Sequence, residues 1–261
     1  MLAVRPTHLT QCQAMNVVEI TDGDGVRLLR WNRPEALNAL NDELWDATRD
    51  ALVSAQADPD LRCVVITGTG RAFTAGQDLG EMMSPPDHGD EELHGYRGLI
   101  PVLEAFDKPL LAAVNGLGLG IGATLLPYCD IVWIAEGARL KVPFVTLGVT
   151  TEAAGSLLLP QRMGWQAAAR FIFTADWMSA EEAVACGLAW KVTTPDALLD
   201  ETMAVARQIG ALPVDALQTT KRLMVAARLD AVRAARARED AEFARMVGSE
   251  ANREALAQFF S

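Results

Sequence analysis

The chain has 261 residues, of which 50% are hydrophobic and 22% are charged, and its formal net charge at neutral pH is −11. A chain of this length and composition can bury a sizeable core, which predicts a globular protein with one large domain, or one domain with an appendage. The negative charge repels nucleic acid, and no basic patch interleaved with aromatic residues reverses it locally, so we expect no nucleic-acid partner.

The sequence indicates neither a membrane protein nor a disulfide-rich one. No stretch approaches the ~20 apolar residues that cross a bilayer, and the first residues lack the basic head and apolar core of a secretion signal. The four cysteines, Cys12, Cys63, Cys129 and Cys186, are scattered singly, so no CxxC metal pattern is present. We therefore expect a cytoplasmic protein with reduced thiols, no membrane contact and no metal site.

The first half of the chain alternates predicted strands and helices. Two strand-like segments flank the turn residues 22–25, which predicts a β-hairpin. A helix follows that Asn41 or Asp42 can cap. Further strands are predicted at 63–67, 110–114 and 131–135, with a helix at 93–106 before the second of them. Strands that alternate with helices predict a mostly parallel α/β architecture.

The last third of the chain is predicted to be helical. From about Gly155 onward, apolar residues recur at helical spacing and prolines punctuate them. We interpret the arginine-rich part, 213–242, as a solvated helix face. The resulting division places a core at 1–195 and a helical C-terminal region at 196–261.

Two segments share one physical design, in which a buried strand runs into glycine and small residues and then into a helix start. The first is 64–79 and contains GRAFTAGQDL; the second is 110–122 and ends in LGLGIG. Glycine lets the backbone approach a ligand closely, and the free N–H groups at a helix start point outward. Two such turns side by side predict a backbone site for a small developing oxyanion. Tight strand-to-helix packing is the alternative explanation for either cluster alone.

A dinucleotide site is a second alternative for the later glycine cluster. The segment from Gly118 to Ala123 fits GxGxxA, and the strand after it ends at Glu136. However, the helix available between Ile121 and Tyr128 is too short for a normal crossover, and two strand–helix units already precede it. We therefore disfavour an NAD-dependent oxidoreductase.

Four segments look like the successive signatures of the enoyl-CoA hydratase/isomerase (crotonase) family, in the family's order and spacing: 32–40, 70–79, 115–130 and 140–147. The likeness runs from about Asn16 to Phe259. It implies an α/β fold, the crotonase (ClpP-like) spiral of repeated ββα units with a helical C-terminal region. It further implies a coenzyme A thioester as substrate, no separate cofactor, and a homotrimer or a dimer of trimers.

The resemblance also implies site residues. Carried over by position, the oxyanion donors are the backbone N–H groups of Gln77 and Ile121. The substrate-binding residues implied are Ala36, Leu37, Ala75, Gly76, Asp78, Leu79, Gly120 and Phe259. Phe259 would pack near the adenine, often that of a neighbouring subunit, whereas Asp78 suits capping of the next helix better than contact with substrate. Arg33 and the arginines of the C-terminal helices are candidates for binding the nucleotide phosphates.

The carboxylates decide which reaction the resemblance favours. Hydratases of the family hold the attacking water with two glutamates, and Thr124 and Phe144 stand at those positions here. The Δ3,Δ2-enoyl-CoA isomerases use one glutamate, and Glu152 falls on its position. We therefore predict an isomerase of fatty-acid metabolism with Glu152 as the base. A non-catalytic acyl-CoA-binding relative, a hydratase, and a purely helix-capping role for Glu152 are the alternatives.

Overall fold

The computed structural model describes residues 16–83 and 93–259, without the side chains of Met83 and Phe259. Its strands are β1 (Val18–Gly23), β2 (Val26–Trp31), β3 (Cys63–Gly68), β4 (Ala72–Thr74), β5 (Leu110–Val114), β6 (Leu117–Leu119), β7 (Ile131–Ala135), β8 (Arg139–Lys141), β9 (Met178–Ser179) and β10 (Lys191–Thr193). Its helices are α1 (Asp42–Ala57), α2 (Leu79–Met83), α3 (Gly95–Ala105), α4 (Ile121–Thr124), α5 (Gly155–Met163), α6 (Trp165–Thr174), α7 (Ala180–Ala185), α8 (Pro195–Gly210), α9 (Val214–Ala226), α10 (Leu229–Met246) and α11 (Glu250–Phe259).

Two sheets organise these elements. The larger has the order β1-β2-β3-β5-β7-β10 and the smaller the order β4-β6-β8-β9. The predicted hairpin is confirmed as the antiparallel pair β1–β2, and β8–β9 is also antiparallel, whereas the other pairs are parallel. Every residue of β3 and β5 is buried, as their continuous apolar runs predict for central parallel strands.

The predicted spiral of ββα units is confirmed. In each of three successive units, the first strand joins the larger sheet and the second joins the smaller one: β3 with β4, β5 with β6, and β7 with β8. The units are neighbours in both sheets at once, so each repeat advances the chain by one strand position in each. The connections that leave β4 and β6 are consequently adjacent in space, although they are distant in sequence.

The first helix follows its predicted signals. The Asn41 side chain accepts a hydrogen bond from the amide of Leu44, which selects Asn41 over Asp42 as the N-cap. The helix ends at Ala57, two positions before Pro59. Its buried face includes Leu44, Trp45 and Leu52, which anchor it to the core.

The C-terminal helices cover the core. Helix α8 packs against β3, β5 and β7, and α10 packs against α3 and α5. The division of the chain at 195/196 into a core and a C-terminal region stays a prediction. The last strand, β10, ends at Thr193 and α8 begins at Pro195, but α8 packs against the sheet of the core. Within 16–83 and 93–259, none of the helices is long and apolar enough to span a bilayer.

Candidate active site

The two glycine turns lie side by side because β4 and β6 pair in parallel, with Thr74 in register with Gly118. Gln77 follows Thr74 by three positions (77 − 74), and Ile121 follows Gly118 by the same number (121 − 118). The two residues predicted to donate their amides therefore stand at equivalent points of adjacent turns. Their side chains differ, which matters little if the functional groups belong to the backbone.

Close backbone contacts hold the two turns together. A Cβ atom on Gly76 would lie 2.9 Å from the carbonyl oxygen of Leu119, and one on Gly122 would lie 2.7 Å from Cγ2 of Thr74. Gly76 also has a φ of +89°, which side chains rarely allow. Each turn thus contains a glycine that lets the other turn approach closely, as the alternative explanation of tight packing also requires.

The two candidate amides have no hydrogen-bond acceptor among the described residues. Gln77 forms a bridge with Leu40, but the flanking groups make its bonds: Leu40 donates to the Gly76 carbonyl at 2.8 Å, and Asp78 donates to the Leu40 carbonyl at 2.9 Å. Ile121 is the first residue of α4, so no intrahelical carbonyl can accept its N–H. Neither amide is committed to an acceptor in the described part of the chain, as the predicted role requires.

The loop predicted to bind the coenzyme A portion is fixed against the first turn. The Ala75 amide donates to the Leu37 carbonyl at 2.9 Å, which places Ala36 and Leu37 beside the segment 75–79. The buried Asn38 completes the link: its Nδ2 donates to the Ala72 carbonyl at 2.9 Å. Leu37 and Asn38 have positive φ values of 52° and 54°. Asn38 belongs to the loop that the resemblance implies for the coenzyme A portion, and asparagine tolerates this conformation better than most residues.

Asp78 is a structural residue in this conformation. Its Oδ1 accepts the amide of Gly80 at 3.0 Å at the start of α2, which is the predicted capping role. Its Oδ2 lies 3.1 Å from Nη1 of Arg33, so the charge of Arg33 is already paired. Contact of Asp78 or the exposed Leu79 with substrate stays a prediction, as does a phosphate-binding role for Arg33.

The Gln77 side chain is held by a residue that sequence patterns did not single out. Nε1 of the buried Trp45 on α1 donates to Oε1 of Gln77 at 2.9 Å. Trp45 looks like an ordinary core position of an amphipathic helix, and no local signal shows that its indole N–H reaches the turn. This bond orients the residue whose amide is the first predicted oxyanion donor.

Glu152 lies in the segment between β8 and α5, is half-buried, and its carboxylate has no hydrogen-bond partner among the described residues. Burial, as the largest cause, and the neighbouring carboxylates of Glu239 and Asp240 together raise its pKa to about 8. Such a group is uncharged or weakly hydrated near neutral pH, which suits a proton-transfer role.

The alternative that Glu152 caps the following helix is wrong. Helix α5 begins at Gly155 and its N-cap residue is Ala154. The side chain of the N-cap residue forms no capping hydrogen bond. The carboxylate that serves this helix start comes instead from Glu239 on α10, whose Oε1 accepts the amide of Ser156 at 2.8 Å. Glu239 is therefore a further residue that the sequence did not reveal.

The two positions of the hydratase glutamates hold buried side chains without a carboxylate. The Thr124 hydroxyl faces the Gly120 carbonyl at 3.4 Å. Phe144 points its ring toward Gly120, since a Cβ atom there would lie 4.0 Å from Cζ of Phe144. Helix α4 spans only Ile121–Thr124, which is too short for the helix of a dinucleotide-binding unit.

A family model described as enoyl-CoA hydratase/isomerase matches residues 21–261. The chain belongs to this family. It is 36% identical to the 1,2-epoxyphenylacetyl-CoA isomerase of Escherichia coli K12 over 202 residues, which cover 76% of this chain and 77% of that protein. It is 34% identical to the 2,3-dehydroadipyl-CoA hydratase of the same organism, over 90% of this chain and 91% of that protein.

A solved structure shows the same fold. An enoyl-CoA hydratase/isomerase from Pseudoalteromonas atlantica T6c superposes with a TM-score of 0.90 at 33% identity, over 94% of this chain and 96% of that one. The predicted crotonase family and fold are confirmed. With them, the prediction of an enzyme of the hydratase/isomerase class that acts on acyl-CoA thioesters is confirmed at that level.

Proposed function

We propose that this family member is a Δ3,Δ2-enoyl-CoA isomerase in which Glu152 carries a proton from C2 to C4 of the acyl group. The backbone N–H groups of Gln77 and Ile121 stabilise the enolate oxygen. The observation that carries the proposal is Glu152 itself, a half-buried carboxylate with a pKa of about 8 and no hydrogen-bond partner within 16–83 and 93–259.

The proposed chemistry needs only these groups. The Glu152 carboxylate takes a proton from C2 of a 3-enoyl thioester, and the electron pair moves into a dienolate whose oxygen accepts the two amide hydrogens. The carboxylic acid then returns the proton to C4, so the double bond moves into conjugation with the thioester. No water is consumed and no cofactor is required. A base with a pKa near 8 is well matched to this work at neutral pH, and each oxyanion donor typically contributes about 3 kcal/mol.

Two relatives suggest different reactions. The name of the Escherichia coli 1,2-epoxyphenylacetyl-CoA isomerase supports isomerase chemistry, whereas the 2,3-dehydroadipyl-CoA hydratase of the same organism makes hydration the second candidate. Hydration in this family uses two glutamates to hold water, and Thr124 and Phe144 offer none. The isomerase is favoured because one carboxylate suffices for it.

The remaining predicted contacts belong to the same proposal. In this proposal the pantetheine and thioester end of the substrate is bound by Ala36, Leu37, Ala75, Gly76, Leu79 and Gly120. The adenine contact of Phe259 stays a prediction, because that side chain lies outside the described part of the chain. We place the protein in a homotrimer or a dimer of trimers, in which a second copy covers the apolar face of α6. Trp165 and Phe173 on that helix are 72% and 69% exposed in the single chain, which is unusual for large apolar side chains without a partner.

The test compares wild type with Glu152→Gln on a 3-enoyl-CoA, followed by the rise in absorbance of the conjugated 2-enoyl thioester. We expect wild type to turn over and Glu152→Gln to lose at least about a hundredfold in kcat. Glu136→Gln, at an exposed position after β7, is the matched control and should keep wild-type activity.

Three outcomes contradict the proposal. Equal rates for wild type and Glu152→Gln remove Glu152 as the base. Addition of water to a 2-enoyl-CoA by a wild-type protein that leaves 3-enoyl-CoA unchanged identifies a hydratase. Tight binding of both thioesters without turnover identifies a non-catalytic binding protein.

A further inference from the structure

The backbone of Ala153, the residue after Glu152, is hydrogen-bonded to two tyrosine hydroxyls. The hydroxyl oxygen of Tyr96 accepts the Ala153 amide hydrogen at 2.8 Å, and the hydroxyl of Tyr128 donates to the Ala153 carbonyl at 2.8 Å. Ala153 and Ala154 have φ values of 56° and 55°. A left-handed conformation costs an alanine roughly 1–2 kcal/mol, so it persists only where surrounding contacts impose it. The two hydroxyls supply such contacts directly beside Glu152.

The acceptor role of Tyr96 is fixed by its other neighbour. Its Oη lies 3.4 Å from Oδ1 of Asp240, which can only accept, so the hydroxyl proton points toward Asp240 and the lone pairs face Ala153. Asp240 is held in turn by Arg236, whose Nη1 lies 3.2 Å from Oδ2. Burial and the nearby charges of Glu152 and Asp240 raise the pKa of Tyr96, which keeps the hydroxyl protonated.

Tyr96 also contacts the other half of the site. Its ring meets the indole of Trp45 edge-on, with centroids 6.1 Å apart and planes at 86°. Trp45 is the residue whose Nε1 donates to the Gln77 side chain. A continuous chain of contacts therefore runs from Gln77 through Trp45 and Tyr96 to the peptide of Ala153.

We propose that Tyr96 is a positioning residue that sets the place of Glu152 relative to the Gln77 amide, with Trp45 as the link between them. The inference rests on the proposed function, because it assigns a purpose to the position of Glu152. Tyr96 acts through the backbone of Ala153 and through Trp45. It need not contact the substrate.

The experiment uses Tyr96→Phe, which keeps the ring against Trp45 and removes the hydroxyl, and with it both the acceptor for the Ala153 amide and the donor to Asp240. We expect kcat on a 3-enoyl-CoA to fall roughly tenfold to a hundredfold with KM changed by less than about twofold, because a displaced base slows the chemical step more than binding. Thr202→Val is the matched control. It removes another buried hydroxyl, which donates to the Leu198 carbonyl within α8, far along the chain from the site.

A second readout does not depend on turnover. Hydrogen exchange measured by mass spectrometry on peptides that contain Ala153 should be about tenfold faster in Tyr96→Phe than in wild type or Thr202→Val, because the amide has lost its acceptor. Melting temperatures of both variants show whether each is folded.

The outcomes separate the two proposals. A wild type that does not isomerise overturns the proposed function. An active wild type with kcat of Tyr96→Phe no lower than that of Thr202→Val overturns the positioning role of Tyr96 alone. A rise in KM that matches the whole loss of kcat/KM also overturns it, since Tyr96 would then act in binding, and so does unchanged exchange at Ala153.

Discussion

Glu239 on α10 accepts the amide hydrogen of Ser156 at the start of α5 and thereby leaves Glu152, four positions earlier, without any helix-capping duty. Oε2 of Glu239 is buried without a partner among the described residues. The buried charge lies close enough to Glu152 to raise its pKa. One carboxylate thus stabilises the fold, while its neighbour remains free for chemistry.

The pH dependence of the reaction should report this relationship. Glu152 must be ionised to take a proton, so kcat should rise with pH through its pKa of about 8. Replacing Glu239 by Gln removes a repulsive charge yet keeps an oxygen for Ser156, so the pKa of Glu152 should fall and the rise should move to lower pH by about half a unit or more. Asp240 and the Tyr96 hydroxyl, the other groups that face Glu152, remain in place.

The control for that titration is Glu242→Gln, an exposed residue of the same helix. This variant should leave the midpoint of the rise of kcat with pH unchanged. A midpoint for Glu239→Gln that coincides with wild type would show that Glu239 does not influence the base. A midpoint shifted to higher pH would contradict the sign of the interaction.

Glu152→Gln should stabilise the folded protein at alkaline pH. The pKa of Glu152 is about 4.5 without burial and about 8 when folded, so the folded state retains a proton that the unfolded chain has released. The free energy of unfolding of wild type therefore falls as pH rises through this window. Glutamine cannot ionise, so Glu152→Gln does not lose this part of the free energy of unfolding.

We expect Glu152→Gln to exceed wild type by about 1–3 kcal/mol in free energy of unfolding at pH 9 and to match it near pH 4. One pKa unit corresponds to about 1.4 kcal/mol, and solvent around a half-buried side chain reduces the full effect. Urea denaturation at the two pH values measures the difference. An advantage of the same size at both values would point to a cause other than ionisation.

Gly76→Ala should damage the candidate oxyanion site more than the fold. The added Cβ would lie 2.9 Å from the Leu119 carbonyl oxygen, so the two turns must separate. We expect kcat/KM to fall by roughly a hundredfold if one donor is displaced. Gly137→Ala is the matched control because its φ is also positive, at +78°, and no atom lies within 4 Å of the new Cβ. Equal activity losses in the two variants would assign the effect to backbone strain alone.

Lys221→Ala should destabilise the protein without a direct effect on catalysis. The buried Lys221 of α9 lies 2.5 Å from Oδ1 of Asp130, whose Oδ2 accepts the amide of Leu110 at the start of β5. Removing the cation leaves a largely buried carboxylate unpaired, which costs about 3 kcal/mol. Thermal unfolding measures the loss, and Arg245→Ala, from the exposed pair of Arg245 and Glu242 on α10, is the control. A decrease in melting temperature of the same size in both variants would contradict the role of burial in the Lys221–Asp130 pair.

Local sequence patterns were enough for the hairpin, the Asn41 cap and the central strands, because each depends on neighbours a few positions away. The left-handed backbone just before α5 could not be predicted from local patterns. Alanine favours helix, but the contacts of Tyr96 and Tyr128 hold Ala153 in a left-handed conformation instead. Tertiary contacts here override the intrinsic preference of the residue.

The residues that position the candidate site were less predictable than the candidate donors and base. Family signatures located Gln77, Ile121 and Glu152, whereas their neighbours come from far along the chain. Trp45 is 32 positions from Gln77, Tyr96 is 57 from Ala153, and Glu239 is 83 from Ser156. Such pairs depend on how α1, α3 and α10 pack, which no pattern of hydrophobic spacing specifies.

The parallel register of β4 and β6 has an evolutionary consequence. The candidate donors are main-chain groups counted from the registered pair Thr74 and Gly118, so donation itself needs no particular side chain, although Trp45 bonds the Gln77 side chain and Ile121 is buried in the core. A single inserted or deleted residue before either position is a different matter, since it would rotate the donor out of alignment while both sheets stay intact. Selection at these loops should therefore preserve loop length more strictly than residue identity.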